Sequence, residues 1–430
     1  MTCKNEWAQT PPMGWNSWDC YGASVNEEAV RGNADYMAKN LKKYGWKYIV
    51  VDIQWSQSDP DGWNYRPFTT LCMDEYSRLI PAENRFPSSK GGKGFGPLAE
   101  YVHSLGLLFG IHIMRGIPRQ AVHGGGRILG SGMTARECAL PYSVCPWNTD
   151  MYGLDHEKEG SQKYYDSLFK LYASWGVDFV KVDDIANTEF LKDRPYSAEK
   201  EIEMIRLAID RCNRPIVLSL SPGPAPLDHA WHLCENANMW RMTGDFWDAW
   251  PQLYATFEKC EKWSPYVGNG CWPDCDMLPL GTLMAWDQRA AHKTRFTQTE
   301  QITLMNLWCI FRSPLMMGGE MRENDSFTLS LLTNEASLYL NQHGKKPRQL
   351  FRTDTAAGWM NTDDRECVYI ALFNLGDDNR TVKADNLPQN EVWTEVRTGK
   401  TFITEELEKG IILPPHGSCL LMLKNAGNFV

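Results

Sequence analysis

The chain has 430 residues and a formal net charge of −9, with Lys and Arg spread along it rather than clustered. That balance argues against nucleic acid or an anionic membrane as the main partner, and the length accommodates a barrel of about 250 residues plus a second module. Tryptophan is abundant, at 18 residues; indole faces suit the C–H faces of sugar rings and equally suit a close-packed core. The 13 Cys are an odd number without framework spacing, and they read as free core thiols of a reducing compartment. Cys271 and Cys275 are near neighbours, but no second Cys or His pair completes a zinc site. Neither a signal-peptide h-region nor a run of ~20 apolar residues is visible, so a cytoplasmic protein is expected.

Short apolar runs alternate with amphipathic helices from about residue 12 to 335, the pattern of a parallel α/β sheet. The first strand is expected at Met13-Gly14-Trp15. A helix then opens at the N-cap Asn26, carries Val30, Met37, Leu41 and Tyr44 on one face, and stops at Gly45. Tyr48 to Val51 is the second strand, running into Asp52. The third, Leu108 to Ile113, contains His112. A long insertion from Met114 to Tyr152 follows; its Gly124-Gly125-Gly126 reads as a flexible loop, and the insertion is expected to wall a pocket. Phe179 to Asp183 is the fourth strand, and Ile202, Ile205 and Ile209 line the next helix. Ile216 to Leu220, Met239 to Arg241, Trp272 to Met277 and Phe311 to Met317 complete eight. Eight strands with intervening helices close a barrel, whereas a doubly wound sheet would carry a Gly-rich phosphate turn that is missing here. Beyond residue 336, Val368 to Asn374, Glu391 to Trp393 and Leu420 to Leu423 are short β runs between turns. The expected fold is a (β/α)8 TIM barrel over residues 1–335, then a small C-terminal antiparallel β-sandwich domain over 336–430 that carries no catalytic residue.

Charged residues at the C-terminal ends of barrel strands read as catalytic. Phe179-Val180-Lys181-Val182-Asp183-Asp184 ends an apolar strand in two carboxylates, and Trp240-Arg241-Met242-Thr243-Gly244-Asp245 repeats the idea. Two carboxylates delivered by separate strands to one rim suit glycosidic bond hydrolysis. Asp183 is the expected nucleophile, held ionised by Lys181, which lies two positions earlier on the same strand face. Asp184 faces the other way. Asp245 is the expected acid/base, and Asp248, one turn later, reads as a first-turn helix carboxylate.

These residues resemble glycoside hydrolase family 27 over nearly the whole chain. The matching segments are Pro12-Met13-Gly14-Trp15-Asn16-Ser17-Trp18, Phe109-Gly110-Ile111-His112, Lys181-Val182-Asp183, Trp240 to Asp245, and Trp272-Pro273-Asp274-Cys275-Asp276-Met277-Leu278. The resemblance implies a retaining exo-glycosidase for terminal sugars of galactose configuration, with Asp183 as nucleophile and Asp245 as acid/base. It places sugar contacts on Trp18, Asp52, Lys181, Arg241 and Asp276. It implies no metal or organic cofactor, a small-molecule or oligosaccharide glycoside as partner, and permits a homo-oligomer.

Departures from the family pattern narrow the substrate. Where the family's α-galactosidases carry two aspartates after the second strand, this chain has Asp52-Ile53. An apolar residue there strips water from a sugar O6 without replacing its hydrogen bonds, at a cost of ~1–3 kcal/mol. β-L-Arabinopyranose matches α-D-galactopyranose at the ring hydroxyls and lacks that group. A β-L-arabinopyranosidase is therefore expected, with α-galactosidase as the alternative. A non-catalytic sugar-binding barrel and a glycosyl-transferring enzyme are further readings. His112 stands where many relatives have Tyr, as a donor to a hydroxyl or as a core histidine satisfied by backbone. Ile185 replaces the cysteine of the usual active-site disulfide. Ser221 is assigned to the sugar O2 and Trp147, in the insertion, to the pocket wall.

Overall fold

Eight parallel strands form one sheet: β1 Met13–Asn16, β2 Tyr48–Val51, β3 Leu108–Met114, β4 Phe179–Asp183, β5 Val217–Leu220, β6 Met239–Arg241, β7 Trp272–Asp274 and β8 Leu315–Met317. In this computed structural model, residues 4–424 are described apart from positions 189, 192 and 288. Each strand pairs with its sequence neighbour, and β8 also pairs with β1. The ring shuts on its remaining side through Leu278, just after β7, which donates to Met316 O at 2.8 Å and accepts from Gly318 N at 3.0 Å. The result is a closed (β/α)8 barrel.

Strand periodicity explains how this barrel is filled. One set of alternate residues, including Ile49, Val51, Ile111, Val180, Val182, Leu218 and Leu220, packs outward in the main core. The other set includes Tyr48, Val50, Phe179, Val217, Met239, Trp272 and Met316, which form a separate apolar plug inside the ring. Continuing that inward set toward the C-terminal ends gives Asp52, His112, Lys181, Asp183, Ser221 and Arg241. The alternation that buries the plug thus delivers the polar groups to the top. Eight helical connections cover the outside: α1 Glu27–Asn40, α2 Gly96–Ser104, α3 Glu159–Ser174, α4 Glu199–Arg211, α5 Ala230–Asn236, α6 Trp250–Trp263, α7 Gln298–Phe311, and the consecutive pair α8 Ser326–Leu332 and α9 Glu335–His343.

Several local expectations need correction. The Asn26 side chain does cap α1, accepting from Ala29 N at 2.9 Å, but α1 ends at Asn40 and a 3-10 turn, Lys42–Tyr44, carries the chain to Gly45 at φ +98°. Phe311 is the last residue of α7, not a strand residue; β8 starts at Leu315 because Arg312, at φ +69°, first reverses the chain. The long insertion is folded rather than a flexible loop. It forms a three-stranded antiparallel sheet of Ile117–Pro118, Ala139–Val144 and Met151–Leu154, with two short helices. Gly124 ends one of them, and Gly125 takes the left-handed conformation that closes it.

The C-terminal module is antiparallel: β9 Arg348–Arg352, β10 Ala356–Thr362, β11 Val368–Asn374, β12 Arg380–Val382, β13 Val392–Glu395, β14 Thr401–Ile403, β15 Ile411–Leu413 and β16 Ser418–Leu423. Six of these form one sheet, and β12 pairs with β15 in a second. Ile370, Leu372 and Leu421 pack with Val382 and Leu413 between the two sheets. The antiparallel strands begin at Arg348, after α9 ends at His343. The module docks on α6 and α7, through Phe373 on Phe257 at 4.9 Å between ring centres and Asn361 donating to Ile310 O at 3.0 Å.

One buried cation fixes the loops that follow β1 and β2. Arg85 donates to Gln54 O, Gln57 O, Ala23 O and Val25 O at 2.5–2.9 Å. Arg85→Met would leave the Gln57, Ala23 and Val25 carbonyls without this donor, while Gln54 O keeps only Gln57 N. It is expected to lower the unfolding free energy by about 3 kcal/mol or more, measured by urea denaturation; a loss within error of zero would show that water replaces the guanidinium.

Candidate active site

A cavity of about 450 Å³ opens at the C-terminal end of the barrel, within the ordinary range of small-ligand sites. Both carboxylates singled out in the sequence, Asp183 and Asp245, line it. So do Asp52, Ile53, Lys181 and Ser221 on one part of the wall, and Trp18, Trp147, Arg241 and Asp276 on another. His112 is placed behind this wall.

Asp183 ends β4, and its neighbour Asp184 adopts φ +56°. That left-handed residue turns the chain sharply. Asp183 faces the cavity, while Asp184 pairs with the buried Arg115 at 2.8 Å. The Asp183 Oδ2 meets His112 Nε2 at 3.1 Å and its Oδ1 accepts from Asp184 N at 3.0 Å. Burial pushes the Asp183 carboxyl upward, but the His112 contact and the Lys181 ammonium outweigh it and hold it below its ordinary value. The same cation serves Asp52. Lys181 Nζ lies 2.9 Å from Asp52 Oδ2, which also accepts from Asn16 at 2.7 Å, while Oδ1 accepts from Ile53 N at 2.8 Å. Burial raises the Asp52 carboxyl; Lys181 and His112 reverse this and bring it to about 2. His112 therefore serves the two carboxylates. It is a buried histidine, as one reading of it expected, but its partner is a carboxylate and not a backbone acceptor.

Across the cavity, Arg241 organises a second acidic group. Its guanidinium pairs with Asp276 Oδ2 at 2.7 Å and with Asp245 Oδ1 at 3.2 Å. Asp276 is fixed from several directions: it accepts from Phe246 N and Met277 N, each at 2.8 Å. Burial raises Asp276 to about 6 despite Arg241, with Asp245 adding to the rise. Beneath it, burial and the charge of Asp276 push Asp274 up to about 7. The Asp245 side chain is 71% exposed, open to the cavity mouth. Asp248 precedes α6 instead of lying in its first turn; it is buried and accepts from Arg295 N at 2.6 Å, so it belongs to a loop anchor.

The wall beside Asp52 is apolar. Ile53 lines the cavity there and packs outward against the buried Met114, Cys145 and Met151, while Trp18, Tyr65 and Trp147 flank it. Cys145 carries a free thiol, and Ile185, where the relatives' disulfide would start, is fully buried. Cys20, Cys138, Cys260, Cys275 and Cys309 are likewise buried free thiols. The tryptophans divide between both sequence readings: Trp15, Trp46, Trp55, Trp240, Trp272, Trp308, Trp359 and Trp393 fill cores, while Trp18, Trp63, Trp147 and Trp247 line the cavity. Trp63, Tyr65, Trp247 and the buried Asp19 are cavity residues that sequence reasoning missed. Trp63 and Tyr65 lie in the long β2–α2 connection, where no periodicity marks a wall. Their only signal was an aromatic pair downstream of Asp52 in a turn-rich segment.

Comparison with known proteins agrees with this geometry. A β-L-arabinopyranosidase from Geobacillus stearothermophilus is 54% identical, covers 100% of both chains and superposes with a TM-score of 0.94. The chain belongs to glycoside hydrolase family 27. A family model described as Alpha galactosidase A matches residues 150–343 of this family 27 enzyme. A variant of the Geobacillus enzyme in complex with arabinose is equally similar, at 54% identity over 99% of this chain and 100% of the other, with a TM-score of 0.94. Alpha-galactosidase 2 of Arabidopsis thaliana is 26% identical over 387 residues, covering 89% of this chain and 80% of its own. Among the described residues, no helix of this glycoside hydrolase is long and apolar enough to cross a membrane.

The raised Asp274 gives a pH prediction. Its folded form keeps a proton that the unfolded chain releases near ~3.9, so it lowers stability progressively as pH rises from about 4 to about 7. Asp274→Asn keeps the acceptor used by Asp276 N and removes that loss. The melting temperature of the unsubstituted protein is expected to fall more than that of the variant between about pH 5 and pH 8; parallel profiles would contradict the assignment.

Proposed function

We propose that this enzyme releases terminal β-L-arabinopyranose by double displacement, with Asp183 as nucleophile and Asp245 as acid/base. Asp183 attacks the anomeric carbon while Asp245 protonates the departing oxygen. Water activated by Asp245 then releases the glycosyl-enzyme with net retention. The charge arrangement supports these roles. Asp183 is buried and kept ionised by His112 and Lys181, as an attacking carboxylate must be. Asp245 is open to water at the cavity mouth, where a leaving group departs and a water enters.

The substrate reading rests on one observation, Ile53 lining the cavity beside the polar Asp52–Lys181 pair and backed by the buried apolar cluster of Met114, Cys145 and Met151. Asp52 and Lys181 suit ring hydroxyls, and Ile53 offers a hydroxymethyl group beside them no hydrogen bond. A pentopyranose loses nothing there, whereas a hexose leaves its primary alcohol dehydrated at ~1–3 kcal/mol. The 54% identical enzyme that carries the name β-L-arabinopyranosidase supports this choice. A penalty of that size shifts preference without forbidding a substrate, so low α-galactosidase activity accompanies the main one. Sugar contacts are assigned to Trp18, Asp52, Lys181, Arg241 and Asp276, with Ser221 and Trp147 completing the wall. His112 acts through Asp183.

Rates on chromogenic β-L-arabinopyranoside and α-D-galactopyranoside test the specificity. The arabinoside is expected to be preferred, and Ile53→Asp to move the ratio of kcat/KM toward the galactoside by about tenfold or more; an unchanged ratio would place O6 recognition elsewhere. Asp183→Asn is expected to abolish turnover while arabinose binding, followed by calorimetry, stays within a few-fold. Near-native turnover would remove Asp183 from the role.

A further inference from the structure

Outside the barrel and away from the sugar cavity, two helices bring three donor groups together. Glu199 and Glu203 sit one turn apart on α4, and His232 faces them from α5. Their donor atoms all lie within 4.8 Å of one another. The His232 side chain is only 3% exposed, yet its Nε2 makes no hydrogen bond. It stands 3.4 Å from Glu203 Oε1 and 3.9 Å from Glu199 Oε1. A charged hydrogen bond between imidazolium and carboxylate would close to about 2.7–2.9 Å. Bonds of about 2.0–2.2 Å to a tetrahedral ion instead hold neighbouring donors about 3.4 Å apart, close to the spacing found.

The other ring nitrogen is already engaged: Nδ1 lies 2.9 Å from the Tyr196 hydroxyl in the β4–α4 connection. A donor–acceptor partner on one imidazole nitrogen fixes the ring and leaves the second free for a metal. We propose that Glu199, Glu203 and His232 bind a divalent transition-metal ion of the zinc type, with water completing the coordination. The ion is structural. It cross-links α4 to α5, and thereby the β4–α4 and β5–α5 connections, the second of which carries the cavity residues Ser221, Pro222 and Gly223. Lys200 competes for this site, because its ammonium contacts both Glu203 oxygens at 2.8 and 3.0 Å. It is half exposed, so metal binding displaces it into water.

The test is calorimetric titration of the chelator-treated full chain with Zn2+, alongside the absorption spectrum of the Co2+ form. One site is expected, with d–d bands and no thiolate-to-cobalt charge-transfer band. His232→Gln should weaken it by about tenfold or more, Tyr196→Phe by about tenfold, and Lys200→Met should tighten it. Lys200→Met is the informative variant should His232→Gln disturb folding, since it alters only an exposed side chain. Absence of binding, a thiolate spectrum, or an affinity indifferent to both His232→Gln and Lys200→Met would overturn the proposal.

Discussion

The Lys181 ammonium is the interaction on which the rest of the site depends. It is nearly buried inside the barrel, 2.9 Å from Asp52, and after the His112 hydrogen bond it is the main charge holding the Asp183 carboxyl below its ordinary value. Burying it alone would be prohibitive; burial disfavours its charge, and only Asp52 and Asp183 restore it. Removing one member of such a group costs about 3–5 kcal/mol, because the others remain buried and unmatched. The network therefore locks three strands, β2, β3 and β4, into a single arrangement of carboxylates. The ionisation needed for attack is built into the folded state, so no binding step has to create it.

That arrangement follows from a two-residue period. On β4, Phe179 fills the inner plug, Lys181 sits one pleat higher and Asp183 reaches the rim. On β6, Met239 lies below Arg241. Only at the open end is there water and space, so the polar members of each inward-facing row end there. The opposite half of the cavity is organised in the same way by Arg241, which holds Asp276 tightly and Asp245 loosely. Tight pairing suits the sugar contact proposed for Asp276, and loose pairing suits the proton carrier proposed for Asp245. The two halves differ in burial more than in composition, and this difference separates the duties proposed for two aspartates.

Much of this was legible from the amino-acid sequence because strand ends carry their own signature. Apolar runs ending in Asp52, Asp183 and Arg241 identified the strands, the inward face and the rim together. The Asn26 cap and the isoleucine stripe of α4 were similarly local. What escaped depended on contacts between distant segments. His112 is a donor to Asp183 across 71 residues, and no spacing rule connects them. Trp63 and Tyr65 come from a connection without periodicity. The insertion between β3 and α3 looked loose because its Gly cluster was read alone, whereas the pairing of Ala139–Val144 with Met151–Leu154 is what folds it. Asp248 was misread because its partner, Arg295, is 47 residues away.

The central claim is that the buried Asp183, whose carboxyl the site holds below its ordinary pKa, supplies the oxygen of the covalent bond to the sugar. It is tested most directly by trapping that bond with a 2-fluoro-β-L-arabinopyranosyl donor carrying an activated leaving group, then locating the adduct by peptide mass spectrometry. The account predicts a single added sugar on the Asp183 side chain, formed more slowly when Lys181 is replaced by Met. A sugar attached to Asp52, Asp184 or Asp245, or no adduct while the donor is still turned over, would contradict it.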